Sequence, residues 1–127
     1  VNAQLLLAIA VGGALGSVGR HLAASAIGQV VGTTWPWGTL AVNVAGGLAI
    51  GLLAGTMALR WSVTPELRGF LITGILGGFT TFSAFSLEVM TMIERQDWGA
   101  AAAYVVASVL LSLGAAAGGL ALARAIG

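Results

Sequence analysis

Four long apolar runs separated by short polar segments make up nearly the whole chain. A bilayer core about 30 Å thick is crossed by roughly 20 apolar residues in helical form, and each run reaches that length. The first span is predicted over residues 3–27, with Arg20 and His21 towards its end. The others are predicted over residues 38–59, 66–93 and 98–125. Between them lie a connection over 28–37 containing Thr33-Thr34-Trp35-Pro36, a loop over 60–65, and Glu94-Arg95-Gln96-Asp97. Connections this short make successive spans antiparallel neighbours. Trp35, Trp37, Trp61 and Trp98 fall at predicted span ends, where an amphipathic indole suits the headgroup level. No linker interrupts the pattern, so residues 1–127 read as a single transmembrane domain of an all-α membrane protein.

Composition sharpens this reading. The chain is 58% hydrophobic and 7% charged, whereas soluble domains carry about 25% charge. There is no Cys, which excludes disulfides and thiolate metal sites, and His21 is the only histidine. The net charge of +1 offers no basic patch for nucleic acid. The first apolar run has no basic residue before Arg20, so it lacks the charged leader of a signal peptide and reads as a retained span. One side of the predicted topology holds Arg60, Arg68 and Arg124, the other Arg20 and Arg95. The positive-inside rule counts such residues, and so small a bias leaves open both a fixed orientation and dual insertion with an antiparallel dimer.

Helical faces follow from residues four apart. In the second span Thr39, Asn43, Gly47, Gly51 and Gly55 share a face, and Ala8, Gly12 and Gly16 do so in the first. Small residues at this spacing let membrane helices approach closely. Asn43 differs, because an amide inside a span needs partners or marks a path. The fourth span aligns Tyr104, Ser108 and Ser112. Singly, such hydroxyls bond their own helix; in line they form a track of donors.

Residues 77–88, Gly-Gly-Phe-Thr-Thr-Phe-Ser-Ala-Phe-Ser-Leu-Glu, sit inside the third apolar run and are poor filler for lipid. Polar backbone at membrane depth is tolerated where protein or a water-filled path satisfies it. Gly77-Gly78 followed by Thr80-Thr81 predicts a helix interruption, whose freed carbonyls can hold a cation. Phe82 and Phe85 fall on roughly one face among hydroxyls, and their positive ring edges can line an anion path. Glu88 is either a snorkelling end residue or a buried functional acceptor.

These residues together resemble the Fluc/CrcB family of fluoride ion channels. The resemblance covers nearly the whole chain. It rests on Gly12-Gly13-Ala14-Leu15-Gly16 with Arg20, on Trp37 to Asn43, on Gly77 to Ser86 with Glu88, and on the spacing of Tyr104, Ser108 and Ser112. It implies a dual-topology homodimer of four-helix subunits with two pores in a bacterial inner membrane. By the same resemblance Asn43, Phe82, Phe85, Tyr104, Ser108 and Ser112 line the pore, with Glu88 beside the polar track and Arg20 near the entrance; Thr39 and Ser83 join them as candidate pore residues. Main-chain carbonyls of Gly77 and Thr80 would hold a structural sodium ion at the dimer centre. Ala84 departs from the family, which often carries a hydroxyl there.

The activity so implied is passive export of cytoplasmic fluoride, which relieves fluoride toxicity. Hydrogen fluoride crosses membranes as the neutral acid and ionises inside; a channel lets the anion leave down its gradient. There is no Gly-x-x-x-x-Gly-Lys nucleotide loop. The main rival is a small multidrug-type proton-coupled transporter, which relies on an acid deep in its first span; here no acid precedes Glu66. A non-transporting assembly subunit would make the glycine faces the whole story. An enzyme has one His, no Cys and few carboxylates to work with.

Overall fold

The structure, a computed structural model, describes residues 2–126. Its four apolar spans are Ala3–Val31, Trp37–Leu59, Pro65–Glu94 and Trp98–Ile126, and there is no strand among the described residues. The first two are the helices α1 (Ala3–Val31) and α2 (Trp37–Leu59). The third is composite. It runs through α3 (Pro65–Arg68), a π-helical stretch (Gly69–Leu76), α4 (Gly77–Phe79) and, after a gap, α5 (Ser83–Glu94). The last is α6 (Trp98–Ile126).

The helix ends follow capping chemistry. Asn2 starts α1 by accepting from the Leu5 amide at 2.7 Å, and Thr64 starts α3 by accepting from the Leu67 amide at 3.1 Å, with Pro65 in the first turn. α1 continues past its predicted end at Ile27 as far as Val31. Gly28 does not stop it; Gly32 does, at φ +88°, a conformation open to glycine. The connection expected over 28–37 therefore shrinks to residues 32–36. Between α5 and α6 the chain reverses through Gln96 at φ +61°, with the Asp97 amide bonded to the Met92 carbonyl at 2.9 Å.

Packing is organised in two seams, and glycine makes both possible. α1 lies along the composite span. A Cβ on Gly12 would run into the Phe70 carbonyl and one on Gly16 into the Ile75 carbonyl. From the other side, a Cβ on Gly74 would sit 2.9 Å from Gly12 Cα, and one on Gly78 2.6 Å from the Gly13 carbonyl. The second seam joins α2 to α6. There Gly51 faces the Ala116 carbonyl, while a Cβ on Gly55 would lie 2.6 Å from Ala123 Cβ. Close backbone contact of this kind drives helix association where lipid is as apolar as leucine.

The distribution of polarity is inverted relative to a soluble protein. Leu7, Leu15 and Leu22 on α1 and Leu110 and Leu113 on α6 are exposed, whereas Tyr104 is fully buried and Ser108 nearly so. The compact cluster around Tyr104 contains Leu40, Phe85, Met92 and Ala101. Trp37, Trp61 and Trp98 are exposed at helix ends. Trp35 instead turns inward, its ring 5.2 Å from that of Tyr104 and tilted at 73° to it.

Candidate functional site at the broken helix

The gap in the third span falls at the threonine end of the interruption expected over 77–81. Gly77 and Gly78 are helical, and the chain leaves the helix at Thr80, with φ −90° and ψ 158°. The reason is packing: Gly78 is where the Gly13 carbonyl of α1 comes closest. Small size is needed there, not backbone freedom. Thr80 ends the helix by bonding Leu76 O twice, through its amide at 3.0 Å and its hydroxyl at 2.9 Å. Its methyl fills the space left by the missing side chain of Gly46.

The opened backbone is held by side chains from elsewhere. Asn43 brackets Thr81: its Nδ2 donates to the Thr81 carbonyl at 3.0 Å, and its Oδ1 accepts the Thr81 amide at 2.8 Å. The Thr81 hydroxyl then accepts the Ala84 amide at 3.1 Å, which starts α5. Arg20 donates from Nε to the Gly78 carbonyl at 3.1 Å. With the Thr81 and Ala84 amides committed in this way, the carbonyls of Gly77 and Thr80 lose their ordinary i+4 helical donors. They are the two carbonyls expected to face a cation. An oxygen-only pair of this kind suits a hard cation such as sodium, although two ligands from one chain fall short of a full shell.

Beside the gap lies an open groove of about 450 Å³ bordered by Asn43, Thr80, Thr81, Phe82, Phe85, Ser108 and Ser112. Ser108 presents a buried hydroxyl with no hydrogen-bond partner. Thr80, Ser86 and Thr91, by contrast, each donate to the carbonyl four residues back, at 2.9 Å. Ser108 forgoes that local bond, and an unmatched buried hydroxyl costs about 1–3 kcal/mol. Phe82 and Phe85 stand 5.6 Å apart between ring centres. They differ in exposure: Phe82 is 78% exposed and Phe85 only 9%.

Glu88 is a half-buried acceptor, not a snorkelling residue. Tyr104 donates to its Oε1 at 2.9 Å and Thr39 to its Oε2 at 2.9 Å. This triad ties α2, α5 and α6 together. The Tyr104 ring packs 5.1 Å from Phe85.

The residues singled out in the sequence therefore fall into separate groups. Asn43, Gly77, Thr80, Phe82, Phe85, Ser108 and Ser112 border the main groove. Tyr104 shares a helix with Ser108 and Ser112 but is sequestered behind Phe85 with Glu88 and Thr39. Arg20 lies on a second cavity, together with Thr39 and Thr81. Ser83 is exposed, and its hydroxyl lies 3.4 Å from that of Thr81. Thr81, the most connected residue at the gap, was not singled out as a site residue; the paired threonines after a glycine pair were its signal.

Four apolar spans folded around an interrupted helix, with an amide, hydroxyls and ring edges gathered at the gap, define a membrane protein that handles a polar solute inside the bilayer. The family model described as CrcB-like protein, Camphor Resistance (CrcB), matches residues 7–120, and the chain belongs to that family. It is 54% identical over 121 residues to the fluoride-specific ion channel FluC of Rhodospirillum centenum, covering 95% of this chain and 96% of that one. The FluC of Chelativorans sp. is 54% identical over 121 residues, covering 95% and 97%. FluC 1 of Nitrobacter hamburgensis is 50% identical over 121 residues, covering 95% and 96%. The names of these relatives describe channels, not enzymes.

Proposed function

We propose that the chain is a passive fluoride-selective channel that lets the anion leave the bacterial cytoplasm across the inner membrane. The observation that carries this reading is the buried, unpartnered hydroxyl of Ser108, set in a groove with Asn43, Phe85 and Ser112. Fluoride is small and strongly hydrated, so a pore must replace water's hydrogen bonds with donors at close range. The Ser108 and Ser112 hydroxyls and the second N–H of the Asn43 amide are such donors. The rims of Phe82 and Phe85 add weaker positive edges. Several moderate sites pass an ion that one tight site would trap. Chloride is too large to recover its dehydration in the same bore.

The working unit in this reading is an antiparallel, dual-topology homodimer in the lipid bilayer. Support comes from the open flank of the groove, where Phe82 and Gly77 lack cover, and from the nearly balanced arginines. The freed Gly77 and Thr80 carbonyls fit an oxygen-liganded sodium ion shared between two copies. Bound there, sodium would supply a fixed positive charge and a cross-link between the two broken helices. The proton-coupled transporter is disfavoured by the absence of any acid before Glu66 and by the names of the relatives.

Purified protein in liposomes should release loaded fluoride, measured with an ion-selective electrode, and release hardly any chloride. Folded protein in vesicles that retain fluoride would sink the reading.

A further inference from the structure

Two cavities adjoin at Thr39. One, of about 490 Å³, contains Arg20 and Thr81. The other, of about 230 Å³, contains Trp35, Glu88, Thr91 and Arg95. Ala24, Gly28 and Thr33 border both, so the two are neighbours across the end of α1. In the smaller cavity the ionisable residues are Glu88, which is half-buried, and Arg95, which is exposed. Glu94 and Asp97 lie beside Arg95 in sequence, yet neither borders this cavity.

Three of the other four arginines have their side chains engaged; the fourth, Arg124, is exposed in the last turn of α6 and borders none of these cavities. Arg20 donates to Gly78 O, Arg60 to Ala123 O and Arg68 to Met57 Sδ. Arg95 is bonded through its backbone amide, to the Thr91 carbonyl at 3.1 Å; none of the hydrogen bonds among the described residues engages its guanidinium. Thr81 borders both the main groove and the Arg20 cavity, which in turn adjoins the Glu88 cavity at Thr39; an anion that takes this route to water meets the Glu88 carboxylate, which repels it. A positive charge bordering the same cavity offsets that repulsion and raises the local anion concentration.

We propose that Arg95 is an anion-steering residue at the mouth beside Glu88, serving ion entry and exit without touching the dehydrated ion in the groove. The inference rests on the channel reading above. Arg95 also caps the C-terminal end of α5, where a positive charge complements the helix dipole. The test must separate steering from that structural role.

Fluoride efflux from liposomes would be measured at about 0.01 M and about 1 M ionic strength, set with an impermeant salt, where the screening lengths are about 30 Å and about 3 Å. At low ionic strength Arg95→Gln should slow efflux by about three- to tenfold, Arg95→Glu should slow it further, and Arg95→Lys should stay within about twofold of wild type. All rates should converge at high ionic strength. Thr34→Lys, placed on the same cavity in the Arg95→Gln background, should restore low-salt efflux, which no capping role would explain. Low-salt rates equal to wild type for both Gln and Glu variants, or losses that persist undiminished at high salt, would overturn the proposal. A wild type with no fluoride flux at either ionic strength would instead bring down the channel reading, and this inference with it.

Discussion

The α2–α6 seam and the gap at Thr80–Phe82 solve opposite problems with the same small set of residue types. Along the seam, Gly51 and Gly55 bring backbones together within two uninterrupted helices. At the gap, bonds are taken out of the helix and handed to Asn43, Thr81 and Arg20. The seam holds the fold together by omitting side chains; the gap creates a site by redirecting amides. Glycine and threonine at membrane depth therefore carry no fixed meaning. What matters is whether a donor is met by its own helix, by another helix, or by nothing.

The largest expected effect lies in the seam. Gly51→Leu drives a side chain into the Ala116 carbonyl; backbone cannot yield as a flexible side chain does, and overpacking costs typically about 1–3 kcal/mol or more. The variant should fail to give a single homogeneous species in size-exclusion chromatography. A well-behaved product would mean that the seam is looser than described.

Ser108→Ala should do the reverse. It removes a hydroxyl that no protein group meets, so thermal stability should hold or rise slightly. Fluoride flux should fall by about ten- to a hundredfold, the equivalent of the roughly 1.5–3 kcal/mol of a hydrogen bond to a charged partner. Unchanged flux would remove Ser108 from the path. Replacing sodium with a bulky organic cation should lower the midpoint of thermal unfolding of the purified protein by several degrees, about 1 kcal/mol or more; an unchanged midpoint would remove the cation from the Gly77 and Thr80 carbonyls. The smallest effect is expected for Thr91→Ala. Its hydroxyl already bonds Leu87 O in its own helix, so both stability and flux should stay near wild type, within about 0.5 kcal/mol for the former. A large loss of flux there would blur the distinction between self-bonded and free hydroxyls.

Much of this was legible from the residues. The four spans could be read because length and apolarity alone decide what crosses a bilayer. The end of α1 could not, because an isolated glycine such as Gly28 is tolerated in a membrane helix and only the φ of Gly32 marks the stop. The interruption could be read from Gly77-Gly78 followed by Thr80-Thr81, but not that the glycines themselves stay helical, because helix propensity penalises glycine, whereas contact with α1 rewards it. Asn43 could be flagged as needing a partner, but the identity of that partner depends on bringing together residues 38 apart in sequence. Periodicity put Tyr104 in line with Ser108 and Ser112. It carried no hint that the phenol turns to Glu88 across the helix interface.

The bond from Arg20 to Gly78 joins two liabilities. A half-buried guanidinium inside an apolar span and a carbonyl stripped of its amide are each hard to tolerate alone; together each relieves the other. Neither can then be altered in isolation. Losing the arginine strands the carbonyl, and restoring a continuous helix strands the arginine, so the interruption is locked in place by a residue that lies outside it.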